Sequence, residues 1–291
     1  MMIHPDILAA EAAYGHVAPF YDAFTAHPGY AGWVRGLADL ARAHGAHGAR
    51  ALDVACGTGK SIAPLLGLGF DVTGVDAVDA MLAHARAKLG DRVALHRADM
   101  AALPVLGAFD LVTCLNDAVN HLSTAERLTA ALAAMAANLR PGGVLVFDTN
   151  TPVTYHGFFA GTRSVDAGGA RVTWVGRGFD ARTATATATM TLPGGVTAPH
   201  VQHHHAPAAV ARAVRAAGLR VAACLGQHDD GRRDPVLDPA VHTKAMWVCL
   251  HSGHADAEGV RDEGQEDQEG GRPRARHDEG RLSDRPGRAR R

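Results

Sequence analysis

The sequence predicts an α/β chain built on a doubly wound, mostly parallel sheet, and three observations predict it. From Arg50 onward short apolar runs alternate with helical stretches, the pattern of a parallel sheet covered on both faces. The first apolar run leads directly into a glycine loop, LDVACGTGKS over Leu52 to Ser61. After the fifth apolar run, VLVFDTN, the rhythm breaks into period-two segments about Pro193-Gly194-Gly195, which reads as an antiparallel β insertion with a turn.

Taken in order, residues 1–47 read as helices carrying the aromatic residues Tyr14, Phe20, Tyr21, Phe24, Tyr30 and Trp33. Ala51 to Val54 is the first strand, and a helix over Ser61 to Leu68 follows the glycine loop. FDVTGVD is a second strand ending at Asp76, and Met81, Leu82, Ala85 and Leu89 then recur at helical spacing. RVALHRAD leads to Asp99 as a third strand, and FDLVTCL is a fourth. Ser123 and Glu126 read as a capping box for a helix with Leu128, Leu132, Met135 and Leu139 on one face, stopped at Arg140-Pro141-Gly142-Gly143. Beyond the insertion, a helix over Pro207 to Gly218 and the strands RVAACLG and KAMWVCLH complete the sheet. The implied divisions are 1–47, a helical lid; 48–150, a ligand-binding core; 151–206, the insertion; 207–251, completion of the core; and 252–291, a tail.

The glycine loop ends in Gly-Lys-Ser, as does the loop that cradles a nucleoside triphosphate, but the earlier glycine of that motif would fall at Val54, a buried strand position. The dinucleotide pattern G-x-G-x-x-G also fails, because its third glycine position is Ile62. What remains is an acid at Asp53, then Ala55, Gly57 and Gly59 at alternate positions ahead of a helix.

That run resembles the first motif of class I S-adenosylmethionine (SAM) dependent methyltransferases, acidic-x-Gly-x-Gly-x-Gly, with Ala55 in place of the first glycine. The resemblance implies a Rossmann-like core and SAM as cofactor. Asp76 then implies an acceptor for the ribose hydroxyls, with Met81 on the following helix. Asp99 and Met100 would hold and cover the adenine, while Leu115 and Asn116 in the loop after the fourth strand would lie by the sulfonium. That loop lacks the [DN]-P-P-[YF] signature of enzymes acting on nucleic-acid bases or glutamine amides. The outer segments are similar in layout to amino-sugar N,N-dimethyltransferases and to relatives of glycine N-methyltransferase, in which such an insertion closes the acceptor pocket or builds a homo-oligomer. The expected function is methyl transfer to an amine or hydroxyl of a small molecule, plausible in specialised metabolism. The alternatives are a nucleotide-cofactor oxidoreductase on the same fold and a non-catalytic SAM-binding partner protein.

Composition agrees with a small-molecule enzyme. The 291 residues carry a formal net charge of −1, which supplies no field to gather nucleic acid. No apolar run approaches the roughly 18 residues of a membrane span, and the N-terminus lacks a basic-then-apolar leader, so cytoplasmic residence is expected. Cys56, Cys114, Cys224 and Cys249 are scattered, suggesting neither a zinc ribbon nor a disulfide framework. The tail from Ser252 mixes arginine with acids and has only Val260 and Leu282 as larger aliphatic residues, the composition of a disordered segment.

Candidate catalytic residues are His121, a base or orienting group in the fourth loop, and Tyr21, a hydrogen-bonding group for acceptor or cofactor. His203, His204 and His205 are adjacent on a strand, so only His203 and His205 share a face, and no metal is expected there. Asp234, Asp238 and His242 are read as loop residues near the pocket.

Overall fold

The protein is described by a computed structural model over residues 3–251. The expectation for the tail lies outside the described residues.

The central strand β1 (Arg50–Val54) buries every side chain from Ala51 to Val54, as a strand covered on both faces must. It pairs in parallel with β2 (Asp71–Asp76) on one side and β4 (Phe109–Cys114) on the other. β3 (Ala94–Arg97) lies beyond β2, and β5 (Leu139–Asn150) beyond β4, both parallel. β12 (Lys244–His251) runs antiparallel to β5, β10 (Leu219–Gln227) antiparallel to β12, and the short β11 (Arg233–Asp234) forms the edge. The order β11-β10-β12-β5-β4-β1-β2-β3 reverses between β1 and β4, where such sheets open a crevice beyond the strands' carboxyl ends.

Period-two alternation sends neighbouring side chains to opposite layers. Leu52 and Val54 meet α6 (Ala125–Ala136) and α8 (Pro207–Ala216) through Leu128, Leu132, Val210 and Val214. Ala51 faces the other layer, where α3 (Tyr30–Ala43), α4 (Ile62–Gly67) and α5 (Asp79–Leu89) contribute Leu37, Ile62 and Leu82.

Two local expectations are corrected. The cap of α6 is Thr124, whose hydroxyl accepts from the Arg127 amide at 3.2 Å, while the Ser123 amide turns instead to Asp6. Leu139 belongs to β5, because Asn138 ends the helix by bonding its amide to the Ala134 and Pro104 carbonyls.

The insertion forms a separate antiparallel sheet ordered β6 (Thr162–Asp166), β7 (Arg171–Asp180), β8 (Thr185–Thr191), β9 (Thr197–His203). Its first strand, β6, was not expected. On β8 the alternating sequence buries Ala186, Ala188 and Met190 and leaves the threonines half-buried. That apolar face packs on Val17, on Phe24 of α2 (Ala18–Phe24), and on Tyr155 of α7 (Pro152–Gly157). The first helix, α1 (Pro5–Tyr14), lies against β9.

Candidate active site

A cavity of about 940 Å³, its open mouth included, lies beyond the carboxyl ends of β1, β2 and β4. Of the residues singled out in the sequence, Tyr21, Asp53, Ala55, Gly57, Asp76, Met81, Asp99, Met100, Leu115, Asn116 and His121 line it. Gly59 does not. Its φ is +73°, and an added Cβ would sit 2.6 Å from Leu89 Cδ1, so this glycine lets the loop pack on α5.

The loop between β1 and α4 is built from left-handed residues, with φ of 57° at Ala55 and 55° at Gly57. The space where a Gly57 side chain would stand is open, which leaves its backbone accessible from the cavity. Ala55 holds the same conformation at a steric cost of about 1 kcal/mol that glycine would not incur. The Gly57 amide donates to Asp76 Oδ2 at 2.7 Å and the Val78 amide to Oδ1 at 2.9 Å, so the carboxylate clamps the loop onto the end of β2. Each Asp76 oxygen keeps a further lone pair, enough to accept a diol. Burial raises the Asp76 pKa, and the two amide donors oppose that shift.

Asp53 lies deeper in the cavity wall and is almost wholly buried. Its oxygens accept from the Ser61 hydroxyl and, at 2.7 Å, from the Thr113 hydroxyl, tying the start of α4 and the middle of β4 to β1. Burial pushes its pKa up to about 6 against those hydrogen bonds.

On the β3 side, Asp99 is already engaged. Arg127 Nη2 donates to its two oxygens at 2.9 and 2.7 Å, and Arg127 Nε reaches Asp6 on α1 at 3.1 Å. The guanidinium fork thus ties the first helix to the cavity wall beside Met100. Nothing in the spacing of Arg127 pointed to this. It sits on α6 where a solvated charge would be unremarkable, and its partners are 28 and 121 residues away in sequence.

On the opposite wall Tyr14 Oη stands 2.9 Å from His121 Nε2. Burial holds the His121 pKa below the ordinary range, so the imidazole is neutral at pH 7. Tyr14 meets the ring of His200 edge-on at 5.2 Å from its other side. His200 is buried, its Nε2 has no partner, and its pKa is pushed down to about 3. Tyr21 packs edge-on to Tyr14 at 6.1 Å, and burial raises its hydroxyl well above the usual range.

The loop after β4 is strained into shape, with φ of 60° at Asn116 and 55° at Asp117. Lys244, at the start of β12, compensates by donating to Asp117 Oδ1 and Asp148 Oδ2, both at 2.6 Å. Gln202 of β9 donates to Asp117 as well, and Asn116 Nδ2 donates to Tyr30 Oη at 2.8 Å. Sheet insertion, last strand and third helix therefore all hold the one loop. Lys244 escaped sequence reading because it follows a loop and precedes an apolar strand, with no local partner.

His203 and His205 do not converge. His205 Nε2 bonds the Leu122 carbonyl at 3.1 Å, and His203 lines a smaller cavity with Asp6 and Val201.

Fold and cavity together define the class: they are of the class I methyltransferase type. Residues 51–143 match the family described as Methyltransferase domain. The chain is similar to a dTDP-3-amino-3,4,6-trideoxy-alpha-D-glucopyranose N,N-dimethyltransferase of Streptomyces venezuelae, 37% identical over 133 residues, which is 45% of this chain and 56% of the relative. It is also similar to a dTDP-3-amino-3,6-dideoxy-alpha-D-glucopyranose N,N-dimethyltransferase of Streptomyces fradiae, 35% identical over 164 residues, which is 55% of this chain and 64% of that relative. These sequence matches thus span between half and two thirds of the relatives' lengths. Among solved structures, Streptomyces venezuelae DesVI superposes with a TM-score of 0.62 at 26% identity, covering 87% of this chain and all of that one.

Proposed function

We propose that the protein transfers a methyl group from SAM to the amine of a small-molecule acceptor, an amino sugar carried on a nucleotide, in specialised metabolism. The observation that carries this reading is that Gly57, Asp76 and His121 open into one cavity. The cavity suits SAM on its own features: a backbone left bare at Gly57, spare acceptor lone pairs on Asp76, and Met81 and Met100 as apolar walls. The assignments of Asp53, Ala55, Asp99, Leu115 and Asn116 to cofactor binding, and of residues 1–47 and 151–206 to lid and acceptor cap, belong to the same proposal.

Bound SAM supplies an electrophilic methyl group on a sulfonium. The chain supplies position. Holding an acceptor nitrogen in line with that methyl can provide roughly 7 kcal/mol or more of the barrier. His121 favours an amine over an alcohol, because burial makes it a weak base. Such a group cannot readily deprotonate an alcohol, whereas an amine that arrives unprotonated attacks without a base, so His121 need only orient it, and the product ammonium releases its proton to water. Tyr14 orients His121 through the hydrogen bond at Nε2. Support for a nucleotide-linked amino sugar comes from the named relatives. Nucleic acid is excluded from the proposal on the near-zero net charge, and cytoplasmic residence is included on the four free thiols.

The test is incubation with SAM and a panel of dTDP-linked amino sugars, phenols and free amino acids, with products weighed by mass spectrometry. The proposal expects one or two added methyl groups on an amino sugar alone. Methylation confined to phenols or to amino acids would overturn the acceptor assignment.

A further inference from the structure

Away from the cavity, where the sheet's antiparallel edge meets the loop ahead of β12, the end of β10, the strand β11 and that loop bring three side chains together. We propose that His228 Nε2, Asp234 Oδ2 and His242 Nε2 form a binding site for a zinc-class divalent cation.

The donor atoms already face one another. Asp234 Oδ2 lies 2.9 Å from His228 Nε2 and 3.0 Å from His242 Nε2, and the three ligand atoms fall within 4.8 Å of one another. On a tetrahedron with metal–ligand bonds of about 2.0 Å, neighbouring donors stand about 3.3 Å apart, so the two carboxylate–imidazole distances need open by only a few tenths of an ångström, and the two imidazole nitrogens, within 4.8 Å of each other, settle to that spacing as the ion enters. Two imidazoles and one carboxylate suit zinc and its neighbours in the first transition row rather than magnesium or calcium.

The rear of the site is prepared as well. His242 is buried, and its Nδ1 lies 3.0 Å from the Asp238 carbonyl oxygen and 2.9 Å from the Asp238 amide; in the tautomer that donates from Nδ1 to the carbonyl, that oxygen is the outer partner of a ligating histidine and Nε2 is free for the ion. The ring lies against Gly226, where a Cβ would be 2.1 Å from Nδ1, so only glycine there permits this placement. His228 and Asp234 are partly exposed, which leaves room for a water as the fourth ligand.

The hydrogen bonding of the cluster is inconsistent without a cation. Arg232 Nη2, a donor only, sits 2.7 Å from His228 Nε2, which requires that nitrogen to accept; yet the same nitrogen faces a carboxylate, which requires it to donate. A cation at the centre satisfies the nitrogens and the carboxylate at once. Arg232 is the competitor for that position, and its exposed side chain can withdraw while Nη1 keeps Asp234 Oδ1.

Bound there, the ion would fasten residues 228 to 242, a stretch with only β11 as regular structure, to the body of the sheet. The same stretch touches α3, since Arg233 donates to the Trp33 carbonyl at 3.1 Å, and just before it Gln227 Oε1 of β10 accepts from Trp33 Nε1 at 2.6 Å.

The test is cobalt titration of the tag-free, chelator-stripped full chain, followed by visible ligand-field absorption, with melting temperature recorded alongside. The expected result is one cobalt per chain and a melting temperature that rises with cobalt concentration. Affinity should fall more than ~100-fold in Asp234→Ala and in His242→Gln, beyond the cost of losing an outer partner. It should be unchanged in His203→Gln and tighter in Arg232→Ala, where the competing cation is gone. Asp234 lies at the surface, so its variant tests the site even where the buried histidine variant fails to fold. Absence of any cobalt spectrum in the natural chain, undiminished binding in Asp234→Ala, or weaker binding in Arg232→Ala would overturn the proposal.

Discussion

The Tyr14 hydroxyl stands 2.9 Å from His121 Nε2, joining the first helix of the chain to the loop behind the fourth strand. Both side chains line the cavity. Tyr14→Phe should lower kcat about tenfold, the worth of one hydrogen bond, and leave SAM affinity within about twofold. His121→Ala should lower kcat by roughly 10²-fold. Its pH dependence follows from the depressed pKa: the neutral imidazole persists as pH falls past the ordinary histidine value near 6.5, and activity is lost only as pH falls through the lower folded value. A steady-state pH profile checks both the size and the position of that acid limb.

Asp76 combines two tasks, clamping Gly57 and presenting acceptors to the cavity. Asp76→Ala should weaken SAM binding by about 2 to 3 kcal/mol, a factor of roughly 30 to 150, since hydrogen bonds to a charged group are lost. Calorimetric titration of the variant reads this directly, and an unchanged affinity would remove Asp76 from the ribose position.

Gly59 carries a different burden from Gly57. Gly59→Ala places a methyl 2.6 Å from Leu89 Cδ1 at a φ of +73°, so it should destabilise the protein by about 1 to 3 kcal/mol. The double variant Gly59→Ala with Leu89→Ala should be less destabilised than the sum of the two singles, which denaturant unfolding measures.

His200 supplies a pH signature of stability. Its folded pKa of about 3 lies below the unfolded value near 6.5, so the unfolded chain takes up a proton first. The stability it contributes is fully present above pH 6.5 and is lost as pH falls from there toward 3, at up to about 1.4 kcal/mol per pH unit. His200→Gln should flatten that slope, and unfolding curves between pH 7 and 5 test it.

Much of this architecture was legible because the signals are local. The apolar runs with buried neighbours, the glycines after β1 and the acids at the ends of β2 and β3 each declare themselves within a few residues. What stayed hidden is long-range. The partners of Arg127, Lys244 and Tyr14 are 28 or more residues away, so no spacing rule finds them. Gly59 was read with Gly57 as one loop, because sequence cannot tell a glycine left bare for a ligand from one required by a neighbouring leucine. Asp234 and His242 were read as loop residues and His228 was not singled out, since their meeting depends on β11 folding back on β10.

The most direct measurement is calorimetric titration of the purified chain with SAM, S-adenosylhomocysteine, NADH and ATP in parallel. The account predicts micromolar binding of the two adenosyl sulfur compounds, weakened roughly 30- to 150-fold for SAM in Asp76→Ala, with no heat from the other two. Binding of NADH or ATP in their place would mean that Gly57 faces a phosphate, and would contradict the assignment of this cavity to SAM.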